Sequence, residues 1–279
     1  MPEKRRLEKR TLVAAVLVLL CIPVVIAVNI LFFEDRSYYA TSFIIIALAM
    51  VPFALVFEGR KPQARELVVI AVMVAIAVAG RAAFFMVPQF KPVVAIVIIA
   101  GAALGAQSGF AVGALSGFVS NFIFGQGPWT PWQMFAFGII GFLSGLIFYR
   151  LAAAIGAPST EPKGDGSYGT DVKWYDTNRL GWNVRARKRV ERLRVVVLCV
   201  FGGLVTFALY GILLDTAATV MFSHGEFSRD ALLATYLTGM PLNAVHASAT
   251  IFFLLLLARP MIEKLERVKK KYGLLGAEA

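Results

Sequence analysis

The sequence predicts an all-α, polytopic membrane protein, and three observations carry that prediction. Of its 279 residues 58% are hydrophobic, well above the roughly 45–50% of soluble domains. Apolar runs recur along the chain at lengths that suit a bilayer core, which takes about 20 residues per helix. The net charge is +11, from 28 Lys and Arg against 17 Asp and Glu. These basic residues cluster between and after the apolar runs, a pattern of membrane orientation rather than of nucleic-acid binding. Cys21 and Cys199 each lie inside an apolar run, so neither a disulfide framework nor a metal-ligand spacing is present.

The chain opens with the basic segment MPEKRRLEKR and the apolar run 11–33. That run is too long for a signal-peptide core and ends without a small-x-small cleavage site, so it reads as a first spanning helix. Further spans are expected at 40–57, 66–87, 92–107, 109–124, 132–150, 195–222 and 239–258, eight in all, with both termini on the cytoplasmic side. The pair 92–107 and 109–124 needs an argument, because 92–124 is almost one unbroken apolar run.

Charge supplies it. If 92–124 were a single helix, the basic loops 58–65 and 150–194 would lie on opposite faces of the membrane, against the positive-inside tendency. A hairpin near Gln107-Ser108-Gly109 puts 24 of the 28 basic residues on one side. The arms are then too short to span fully and should be shielded by protein. Gly101, Gly105, Gly109, Gly113 and Gly117 recur every fourth residue, which lets backbones approach closely. Ala71, Ala75, Ala79 and Ala83 form a smooth stripe on the span 66–87, suited to internal packing or to docking a partner helix. Residues 151–194 form a polar, glycine-containing cytoplasmic insertion that ends in the basic, helical lead RARKRVERLR. The expected units are therefore 1–61, a basic segment and two-helix hairpin; 62–262, a six-helix core carrying the insertion; and 263–279, a basic tail.

No phosphate-binding loop GxxxxGK[ST], HExxH or GxSxG is present, so ATP hydrolysis by a P-loop and the commonest hydrolase chemistries find no support. Catalytic residues, metal ligands and a resident cofactor are not expected. Polar groups at membrane depth are costly and need a reason; here they are Arg81, Asn121, Asp215, Asn243 and His246. Three readings stand: an Arg81–Asp215 ion pair with a His–Asn network, a polar lining for a ligand cavity, or a proton relay through Asp215 and His246. Asn243 and His246 are three apart and share a helix face. The stretch 121–133 combines Asn121, Gln126, Trp129, Trp132 and Gln133 with two glycines and two prolines. Aromatic faces beside neutral hydrogen-bonding groups suit a large, mostly uncharged organic ligand. The loop FFMVPQFKP, with Phe85, Gln89 and Lys91, is expected to complete the site.

The segment GFAVGALSGFVSNFIFGQGPWTPWQM resembles the substrate-binding (S) components of energy-coupling factor (ECF) vitamin transporters, over about residues 62–262. The resemblance implies a six-helix S-component core, here preceded by two extra N-terminal transmembrane helices. It implies vitamin capture at the outer face of the cell membrane, with a T subunit and two ATPase subunits as partners, and no nucleic acid. It places Ala71, Ala75 and Ala79 on the face that docks the T subunit. The GQGPWTPWQ stretch is most similar to cobalamin-type S components, which makes cobalamin the expected cargo. The alternatives are a stand-alone ion-coupled transporter using Asp215 and His246, or an S component for another vitamin or precursor.

Overall fold

A computed structural model of the chain describes residues 64–127, 129–149, 184–222 and 228–272. The expected spans 11–33 and 40–57, most of the insertion, and the end of the basic tail lie outside these residues. No strand occurs among the described residues.

Helix α1 runs Ala64–Ala83, α2 Val93–Leu104, α3 Ala106–Phe124 and α4 Thr130–Ser144, the last continuing as a π-helical turn, Gly145–Tyr149. Helix α5 (Val184–Leu204) passes through a π-helical stretch, Val205–Tyr210, into α6 (Gly211–Phe222). Helix α7 closes the series at Arg229–Tyr272. Reading α5–α6 as one rod gives six helical rods among the described residues. Four segments are long and apolar enough to cross a membrane: Ala64–Ala83, Thr130–Phe148, Arg192–Met221 and Arg229–Lys269. The basic lead is helical from Val184. The last helix is far longer than the apolar run 239–258, because its polar ends continue the same coil. Its 44 residues reach about 66 Å at 1.5 Å per residue, beyond any bilayer core.

The apolar run 92–124 is broken, as the charge distribution requires, but at Gly105 rather than at 107–109. Gly105 adopts φ 92°, a conformation that glycine reaches without the steric cost of a Cβ. The chain then doubles back so tightly that a Cβ on Gly109 would lie 2.6 Å from the Gly101 Cα. All twelve residues of α2 are buried. This helix is only about 18 Å long, short for a bilayer core, and is shielded by protein: α1, α3, α4, α5 and α7 all pack against it. The glycine ladder is the seam between α3 and α4. A Cβ on Gly113 would meet the Phe137 carbonyl oxygen at 2.2 Å, and one on Gly141 the Gly109 carbonyl oxygen at 2.2 Å.

The end of the bundle where α2 turns into α3 is pinned by charge. The Lys269 ammonium of α7 donates to the Ala103 carbonyl at 2.9 Å and to Glu266 at 3.0 Å. Ala103 belongs to the last turn of α2, where carbonyls lack helical partners and a cation is favoured. Nearby, Ser108 donates to the buried Glu66 of α1 at 3.0 Å. The opposite end, formed by 84–92 and 125–129, carries the residues expected to hold a ligand.

Candidate functional site

Three polar clusters lie at or near that loop end. The first begins at Arg81, in the last turn of α1 and 8% exposed. Its Nη1 donates to the Ser120 hydroxyl and, at 2.9 Å, to the Asn121 Oδ1. Asn121 donates onward to the Thr130 hydroxyl at 3.0 Å, and Thr130 donates to Gln126 Oε1 at 2.9 Å. The Gly127 N–H also reaches Thr130, and Gln126 ties back to the Phe118 carbonyl. This chain of bonds shapes the 125–129 turn, in which Gly125 has φ 96°. Trp129 is 39% exposed, and its indole lies flat on Gly127, where a Cβ would meet ring carbons at 2.4–2.6 Å. Part of the expected ligand wall is therefore a turn that packs on itself.

Three aromatic and cationic groups complete this cluster. The Arg81 guanidinium carbon stands 4.3 Å from the centroid of the Phe124 ring, and the Lys91 ammonium 5.5 Å from it. Phe85 packs on the same ring at 5.0 Å. Lys91 donates to the Val87 carbonyl at 3.1 Å. Partial burial, and then the neighbouring guanidinium, hold its pKa below the usual lysine value. Gln89 sits in the same loop at φ 54°, its carbonyl accepting the Lys91 N–H.

The second cluster centres on Tyr210, the last residue of the π-helical stretch. Gln133 Nε2 donates to its hydroxyl at 3.2 Å. Phe137 stacks on its ring at 5.2 Å and 13°, and His246 meets it edge-on at 4.7 Å. Gln133, Trp132 and His246 are all buried, yet Gln133 Oε1, Trp132 Nε1 and His246 Nδ1 have no hydrogen-bond partner. Turning the Gln133 amide over does not cure this: Tyr210 then meets the oxygen and the amide nitrogen is stranded instead.

The third cluster is Asp215 and Asn243. The Asn243 amide donates to Asp215 at 2.8 Å, and each of the two abuts a glycine of the opposite helix, Asp215 on Gly239 and Asn243 on Gly211. Asn243 and His246 do share a face, the one turned toward the α5–α6 rod. The expected Arg81–Asp215 pair is absent: Arg81 is met by neutral oxygens of α3, and Asp215 by Asn243. Asp215 and His246 likewise have different partners, which leaves a relay between them without a direct link. Among the described residues no group of His, Cys, Asp and Glu is placed to hold a metal ion.

Sequence reasoning missed Ser120, Phe124 and Tyr210. Ser120 directly precedes Asn121 and Phe124 follows it by three residues, a signal that was available. Tyr210 carried no signal beyond being a polar aromatic in an apolar run. The stripe Ala71, Ala75 and Ala79 is exposed, together with Val68, Val72 and Ile76 beside it.

Fold and site together define a class: a multi-pass membrane protein, helical throughout the described residues, with polar and aromatic clusters at one end of a glycine-packed core. Residues 61–158, which hold α1 to α4, match the family model described as ECF-type riboflavin transporter, S component. That match, over 98 of the 279 residues, is to S components, the substrate-specific subunits of ECF-type transporters, a class that works with a small-molecule vitamin, a T subunit and ATPases. The family description gives no support to the cobalamin-type assignment. No solved structure matches the chain.

Proposed function

We propose that this chain is an S component that captures riboflavin or a close flavin at the loop end of the bundle and delivers it inward with a T subunit and two ATPase subunits. The observation that carries this reading is the set of stranded polar atoms beside Tyr210. A buried donor or acceptor left without a partner costs about 1–3 kcal/mol. Gln133, Trp132 and His246 each bear such an atom, on the helices that form the wall next to the stacked pair Tyr210–Phe137. A flat heteroaromatic ligand with carbonyl and N–H groups along one edge would satisfy them, and a flavin ring has that edge. The name of the matched family supports the same choice over a corrinoid. Both chain termini are assigned to the cytoplasmic side, and the loops 84–92 and 125–129 to the outer face, on the charge distribution. The exposed stripe Ala71, Ala75 and Ala79 is assigned to the T-subunit contact.

The test is a titration of riboflavin against the purified full chain in detergent, followed by quenching of flavin fluorescence. Saturable 1:1 quenching is expected, weakened about tenfold or more in Tyr210→Phe and Gln133→Leu, as for the loss of a buried hydrogen bond. Saturable binding of cobalamin with none of riboflavin would overturn the flavin assignment.

A further inference from the structure

Arg81 is a buried cation without a carboxylate. Its hydrogen bonds run through Nη1 alone, to Ser120 and Asn121. A guanidinium has five N–H groups, so those of Nε and Nη2 have no acceptor among the described residues. Asp215 is held by Asn243. A second cation, Lys91, shares the Phe124 ring with Arg81. The two charges therefore lie within about one Debye length of each other, about 10 Å. They are placed by different elements, Arg81 by the end of α1 and Lys91 by the loop after it.

Buried charges in proteins are paired or are compensated by a ligand. Neutral side-chain oxygens and one aromatic face offset part of the cost of Arg81. They do nothing for the mutual repulsion with Lys91, which an anion set between the two would turn into attraction. Through Asn121 the bonds of Arg81 reach Thr130, two and three residues before Trp132 and Gln133 on α4, so the pair lies close to the stranded polar atoms.

We infer that Arg81 and Lys91, across the face of Phe124, form a subsite for an anionic group on the substrate, a phosphate monoester or a carboxylate, carried on an arm that leads from the planar ring toward the loop end. This inference rests on the flavin reading and narrows it: the favoured cargo is the phosphorylated form of the ring compound. Charge-assisted bonds from a guanidinium and an ammonium to such an oxyanion are the strong kind, and the guanidinium fork matches its geometry.

The experiment compares riboflavin with flavin mononucleotide, which differ by one phosphate, on the full chain in a maltoside detergent free of phosphate. Flavin mononucleotide is expected to bind about tenfold or more tightly than riboflavin, with the ratio falling as salt rises. Lys91→Gln and Arg81→Gln should each bring the ratio toward one. The loop position of Lys91 keeps the test readable if the Arg81 variant fails to fold. Riboflavin bound with flavin mononucleotide no tighter, or a ratio unmoved in Lys91→Gln, overturns the anion subsite while leaving the flavin reading intact. Loss of the ratio on adding phosphatidylglycerol, with riboflavin affinity unchanged, assigns the two cations to a lipid phosphate and also overturns it. No binding of either flavin overturns both readings.

Discussion

Replacing Gly109 with alanine tests whether the α2–α3–α4 core is set by backbone contact. The added Cβ would lie 2.4 Å from the Gly141 carbonyl oxygen, 2.6 Å from the Gly101 Cα and 2.8 Å from the Gly141 carbonyl carbon. Optimal non-bonded separations are about 3.5–4.0 Å, so α2 and α4 must each give way by about 1 Å. The atoms met are backbone, with no rotamer to change. Overpacking of this kind costs about 1–3 kcal/mol, and backbone contacts on two sides argue for the upper half. At about 2–4 °C per kcal/mol for a chain of this size, the midpoint of thermal unfolding in detergent should drop by about 4–12 °C. Gly203→Ala is the control, because its Cβ would meet only the side chain of Ile251. A Gly109→Ala protein melting within a degree of Gly203→Ala would refute the view that the glycine seam fixes the helix spacing.

Two further outcomes follow from other parts of the structure. Ala71→Arg with Ala75→Arg places two charges on the exposed face of α1; flavin binding in detergent should be unchanged while uptake by cells carrying the full transporter is lost, and uptake that survives removes the docking assignment. Lys269→Ala leaves Glu266 buried without its cation and should lower stability by about 3–5 kcal/mol, read as a shift in the unfolding midpoint; Glu266→Gln in the same background should recover part of the loss.

Much of this architecture could be read from the chain before any coordinates. Hydropathy locates a helix without reference to its neighbours, and the one-sided placement of basic residues decides how many times the chain crosses. That is why the break in 92–124 was foreseen to within a few residues. The site was legible in composition and not in pairing. Arg81 and Asp215 invite an ion pair because opposite charges in lipid should meet, but pairing depends on which helices are neighbours and how each is rotated about its axis. Arg81 lies against α3, where Ser120 and Asn121 take its hydrogens, and Asp215 faces α7. Tyr210 was invisible for a related reason. Its position reflects the π-helical stretch before it, which re-aims the side chains that follow, and no residue in VTFALY announces that irregularity. Trp129 lays its indole against Gly127 while staying 39% exposed, a packing contact that composition does not announce.

The full burial of α2 bears on how the chain is made. During synthesis the residues 93–124 emerge as one apolar stretch, and nothing that precedes Val93 among the described residues, beyond α1, is at hand to cover a 12-residue helix. Its lining arrives later, with α4, α5 and finally α7, whose Lys269 ties the Ala103 carbonyl across 166 positions of sequence. The doubled-back arrangement is thus one that the ribosome leaves unfinished until nearly the last helix is inserted. Chains cut short before Lys269 should enter the bilayer yet fail to close around α2, and quality-control proteases would find them there.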